Sequence, residues 1–145
     1  MAVPHLQSSD TWILVALLRA TEAGQFASVA ELIRAADSVN HAIITYGELE
    51  TGLARLVPLG HVIAGPSGYA PSSGIREFWM AKTKAWRSVY RSWEKLGAHI
   101  GAAATQQGPL PEASTEQYVT KAAYEAAVAA YAVNIPHPLM GKCDA

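Results

Sequence analysis

The chain has 145 residues, half of them hydrophobic and 16% charged, with a formal net charge of −1 and a sequence pI near 6.5. Such a composition can bury a core of useful size, whereas a dedicated non-specific nucleic-acid binder is ordinarily basic overall. One cysteine, Cys143, excludes an intrachain disulfide and suits a reducing compartment, and the apolar run 12–18, preceded by Asp10 and closed by Arg19, is too short to span a membrane; a cytoplasmic setting without a secretory leader is expected.

The first helix is expected to start at Ser9 or Asp10 and run to Thr21, with Ile13, Leu14, Leu17 and Leu18 on its apolar face and Gly24 beyond its end. Ser28 and Glu31 form a capping-box pair that opens a second helix, buried through Val29, Leu32, Ile33 and Ala36. Residues 37–42 form the turn after it or its frayed end, and the adjacent β-branched Ile43 and Ile44 suggest a short strand. Thr45 and Glu48 repeat the capping box, and Leu49, Leu53 and Leu56 give the third helix one apolar face with Leu53 at its centre. Pro58 and Gly60 end it. Residues 61–64 then read as a strand, Gly65-Pro66-Ser67-Gly68 as a turn and 69–71 as the return strand.

Residues 75–104 read as one long helix. Ile75, Trp79, Trp86, Tyr90, Trp93 and Gly97 share one side, and Arg76, Lys84, Arg87, Arg91 and Lys95 another, with Lys82 near the aromatic face. Residues 106–113 form a linker. A last, alanine-rich helix is expected from Ser114, with Gln117 completing its capping box, to Val133, and the tail from Asn134 is irregular.

Leu53-Ala54-Arg55-Leu56, then Gly60, then His61-Val62 and the glycine-rich turn carry a likeness in spacing and hydrophobicity: residues 10–74 resemble the bacterial winged helix-turn-helix regulators, loosely the PadR-like and MarR-like groups. The resemblance implies a mainly α protein with three helices, a small β-hairpin wing and a C-terminal helical extension, divided into residues 1–74 and 75–145. It implies transcriptional regulation through double-stranded DNA, with the third helix in the major groove. The alternative is a winged-helix module that binds protein and not DNA. Likeness to the PadR-like group also implies that residues 75–104 pair two subunits, and the Trp-rich face, longer than a small winged domain covers, points to a homodimer through Trp79, Trp86, Tyr90 and Trp93.

The outward positions of the third helix are expected at Tyr46, Gly47, Glu50, Thr51, Ala54 and Arg55, so the candidate DNA contacts are Thr45, Tyr46, Glu50, Thr51 and Arg55, with Ser67 at the wing tip. Of these only Arg55 is a customary base-reading fork, while Glu50 repels phosphate. The positive charge sits later: residues 76–95 hold Arg76, Lys82, Lys84, Arg87, Arg91 and Lys95 against Glu77 and Glu94. That stripe either meets phosphates or an acidic partner, or is the wet side of an amphipathic helix. The aromatic stripe either stacks bases or is buried in a core or dimer interface.

Asp37 and His41, four residues apart beside Asn40, either hold a metal or an acid–base pair or, the commoner use of such groups, cap the helix end. His5, His61, His99 and His137 are scattered. With no nucleophile elbow, phosphate-cradling loop or metal-ligand spacing, no enzymatic activity, catalytic residue, metal or cofactor is expected.

Overall fold

The computed structural model describes residues 6–83, 89–102 and 117–134. In chain order these form α1 (Ser8–Ala20), α2 (Val29–Asn40), α3 (Tyr46–Leu56), β1 (Val62–Gly65), β2 (Gly68–Pro71), α4 (Ser73–Thr83), α5 (Val89–Ile100) and α6 (Lys121–Asn134). The protein is mainly helical, with one two-stranded antiparallel sheet.

Helix α1 is the axis of the molecule. Every residue from Ser9 to Leu18 is buried, because α2, α3, α5 and β2 all pack around it. An all-round apolar run is what a helix buried on every side requires; the one-sided face expected at Ile13, Leu14, Leu17 and Leu18 is only part of it. Trp12 shows how its other side is used. The indole Nε1–H donates to the Ala36 carbonyl at 2.9 Å, and the ring stacks on Trp93 with centroids 6.3 Å apart.

The local signals at the starts of α2 and α3 act as read. Ser28 and Glu31, and Thr45 and Glu48, exchange reciprocal side chain–backbone hydrogen bonds of 3.0–3.1 Å. Leu49, Leu53 and Leu56 are fully buried. Gly52 lets α3 settle on α1, since a Cβ there would collide with the Ile13 side chain and crowd the Asp10 carboxylate. The hairpin pairs Val62 with Pro71 and Gly65 with Gly68. Ala27, in the α1–α2 connection, bridges Tyr69 through hydrogen bonds of 2.7 and 2.9 Å and ties the return strand to the helices. No strand forms at Ile43 and Ile44; Ile44 is buried instead, and its carbonyl accepts a hydrogen bond from the Tyr124 hydroxyl.

Two expectations for the second half are corrected. Residues 75–104 are not one straight helix: Phe78 on α4 and His99 on α5 stack face to face at 3.9 Å. In a straight helix, 21 residues at about 1.5 Å each would set them roughly 31 Å apart. The two helices therefore lie side by side. The expected helix start at Ser114 lies outside the described residues, but residues 117–119, within the expected helix, are non-helical, and α6 begins at Lys121, where the Thr120 hydroxyl accepts from the Ala123 N–H. Leu96 of α5, Val119 and Ala127 of α6 join the same buried cluster as α1, α2 and α3. Among the described residues no helix is long and apolar enough to cross a membrane.

Candidate functional site

Helix α3 has three charged side chains, Glu48, Glu50 and Arg55, and each is engaged within the protein. Glu48 closes the capping box at Thr45. Arg55 lies on the edge of α3 nearest α1, where its Nε and Nη2 donate to the two carboxylate oxygens of Asp10 at 2.9 and 3.0 Å. Asp10 is fully buried and also accepts the Gln7 N–H at 2.9 Å; the Arg55 side chain is only 14% exposed. This is a two-pronged, charge-assisted pair, the geometry that the planar guanidinium favours.

Glu50 lies on the opposite edge, 2% exposed. Its carboxylate accepts three consecutive backbone N–H groups, from Gln117 and Tyr118 at Oε1 and from Val119 at Oε2, at 2.5–2.8 Å. Successive N–H groups turned to one side make a concavity suited to an anion, and here it is filled by a carboxylate of the same chain. Four tyrosine hydroxyls complete the seam. Tyr46 donates to the Val119 carbonyl and Tyr69 to that of Tyr118, while Tyr124 donates to the Ile44 carbonyl and Tyr131 to the Asp37 carboxylate.

The phenols are electrostatically coupled to this seam. Burial and the Glu50 charge raise the Tyr69 pKa, and burial together with Glu48 raises that of Tyr124. Donation to Asp37 is the main cause of the rise at Tyr131. At the far end of the hairpin, burial and the nearby His99 lower the pKa of His61.

The outward set expected on α3 is therefore revised. Tyr46 is buried against Tyr124, with ring centroids 5.6 Å apart. Glu50 and Arg55 flank the open face but fold back into the protein, one under residues 117–119 and the other onto Asp10. What faces outward between them is uncharged: Gly47, Thr51 and Ala54 are partly exposed, and Pro58 is exposed just beyond the helix. Thr45 is exposed with its hydroxyl accepting the Glu48 N–H, and Ser67 is exposed at the hairpin tip. Ile43 before α3 and Leu59 after it are 38% and 42% exposed.

The proposed pairing residues divide. Trp79 is half-buried against the core and Trp93 stacks on Trp12 of its own chain, which accounts for those two rings without a second subunit. Trp86 and the Tyr90 side chain lie outside the described residues, as do Lys84 and Arg87 of the basic stripe. Arg76 donates to the Thr21 carbonyl and hydroxyl.

At the end of α2, Asp37 accepts Tyr131, and His41 takes the left-handed conformation of a helix end with its N–H on the Asp37 carbonyl. That pair serves the turn and the seam. Among the described residues no three His, Cys, Asp or Glu side chains gather as a metal site.

The way residues 117–119 hold the Glu50 edge of α3 while α6 packs on α2 was not legible in the sequence, although α6 carried a usable signal. Tyr124, Ala127, Val128 and Tyr131 recur at helical spacing and form its inner face. Nothing local announced that Glu50 would meet residues 67 to 69 positions away. No family model matches the chain, and neither a curated protein nor a solved structure matches it.

Proposed function

We propose that the chain is a winged-helix module that binds a protein partner through the outward face of α3. The observation that carries this reading is the engagement of all three charged side chains of α3 by other groups of the same chain, Glu48 in its surface cap and Glu50 and Arg55 in buried or half-buried bonds. A helix that reads bases needs Arg, Lys, Asn or Gln forks on its open face, and a helix that only grips the backbone needs cations. The face left here is small and neutral, with Ile43 and Leu59 exposed at its two ends, which suits close approach of another protein surface.

A second reading, a DNA-binding transcriptional regulator, is favoured by the element order: three helices, then an antiparallel hairpin whose return strand is bridged to Ala27. One pair of measurements separates the two. Fluorescence anisotropy with labelled random-sequence duplexes at about 50 mM salt, where phosphate contacts are strongest, is expected to show no binding. A photo-cross-linker at Thr51, but not one at the remote Glu22, is expected to give a discrete protein adduct in cells expressing the chain, and Ala54→Arg to abolish it. Duplex binding that weakens steeply with salt, with no adduct from Thr51, overturns the protein-binding reading in favour of the regulator.

A further inference from the structure

We infer that residues 117–134 are a displaceable strap: they open as one unit from an otherwise intact body of α1, α2, α3 and the hairpin, and while closed they occlude the edge of α3 that holds Tyr46 and Glu50. The inference deepens the protein-binding reading, because that edge borders the proposed contact face and becomes available to a partner only when the strap leaves.

The way the strap is held supports this. Its non-helical start, residues 117–119, is gripped mainly through main chain, with the Val119 side chain buried beside it: Glu50 takes three N–H groups, and the Tyr46 and Tyr69 hydroxyls donate to two carbonyls. The rest packs on α2 and is fastened by two more hydroxyls, of Tyr124 on the Ile44 carbonyl and of Tyr131 on Asp37. Val119 and Ala127 are the buried apolar side chains that the described strap contributes to the core, and Tyr118, Tyr124, Val128 and Tyr131 pack against it only partly buried. The α1–α3 contact, by contrast, is built from fully buried Ile13, Leu14, Leu17, Leu49, Leu53 and Leu56.

Segments with few buried apolar groups and exchangeable polar bonds open at lower free energy than the core they rest on. Water can replace every bond in the seam once it opens. The polar part of the grip is on main chain and sets no side-chain requirement at 117 and 118, while Val119 adds one buried apolar contact. A competitor needs three consecutive non-proline N–H groups in a non-helical stretch, the third of them on a residue with a small apolar side chain, which identifies the kind of partner segment that fits: the extended lead-in to a helix.

Hydrogen exchange read by mass spectrometry on the full-length chain tests this. In the wild type, amides of 117–124 are expected to exchange through an opening that amides of α1 and α3 do not share. In Glu50→Gln, where the new amide group faces an N–H, protection of 117–124 is expected to fall at least about tenfold, the factor that corresponds to losing one charge-assisted bond. Protection around Leu14 and Leu53 stays unchanged. Equal protection of strap and core in the wild type, or a parallel loss in both in the variant, overturns the inference: the strap is then an integral part of the core. No partner is needed for this measurement, so its failure is distinguishable from that of the cross-linking and DNA assays.

Discussion

Removing the Arg55 guanidinium while keeping its aliphatic stem, as in Arg55→Met, strips two of the three donors from a fully buried carboxylate. Asp10 would retain only the Gln7 N–H at 2.9 Å. Breaking a buried pair from one side costs about 3–5 kcal/mol, because the remaining charge is left without compensation. Against a total stability on the order of 5–15 kcal/mol, that is about a fifth of the margin or more. With a urea dependence of about 1.5–2 kcal/mol per molar, the unfolding midpoint should fall by roughly 1.5–3 M.

Urea titration followed by helical circular dichroism and by tryptophan fluorescence, with Trp12 as a buried reporter, measures it. Adding Asp10→Asn should then cost less than it does alone, with a coupling energy of about 2–3 kcal/mol across the cycle. A loss below about 1 kcal/mol for Arg55→Met, or an additive cycle, would refute the buried-pair reasoning. Arg55 would then be available to an outside partner, DNA included.

Two further outcomes follow from the geometry. Gly68→Ala should destabilise by at least about 2 kcal/mol in the same titration, since Gly68 has φ +142° and a Cβ there would fall on the Ala27 carbonyl oxygen; an unchanged midpoint would show that the Ala27–Tyr69 bridge is dispensable. Alkaline pH should loosen the seam: Tyr69, Tyr124 and Tyr131 have folded pKa values raised above 10, so their contribution is complete below pH 10 and is lost as pH rises through the folded values, and tyrosinate absorbance should track the loss of α6 protection.

The parts of the fold legible in the sequence are those set by neighbours along the chain. Capping boxes at Ser28 and Thr45, the leucine spacing of α3 and the Gly-Pro-Ser-Gly turn each depend on residues within one helical turn or one hairpin. The long-helix reading of 75–104 failed for the complementary reason. Trp79 and Trp93 do lie at helical spacing, but periodicity alone cannot reveal that Phe78 will meet His99. Glu50 and Arg55 look outward on a helical projection because both border the open face. Their burial is decided by a carboxylate on α1 and by backbone N–H groups near the start of α6. Polar side chains at the boundary of a helix face point wherever a partner of opposite sign lies, and that partner is set by tertiary contact. The candidate site was therefore readable as a helix, but not as a surface.

The contacts that hold residues 117–134 span 49 to 94 positions of sequence, among the longest-range bonds described in the molecule. Synthesis runs from the N-terminus at about 5–20 residues per second, so Val119 is added roughly 3–14 s after Glu50. During that interval α3 and its buried leucines can assemble on α1 while the carboxylate of Glu50 has no backbone to hold. Each newly made copy thus passes through a stage in which the edge of α3 is open without any displacing partner. A protein that joins the chain during translation would meet a different surface from one that meets it finished.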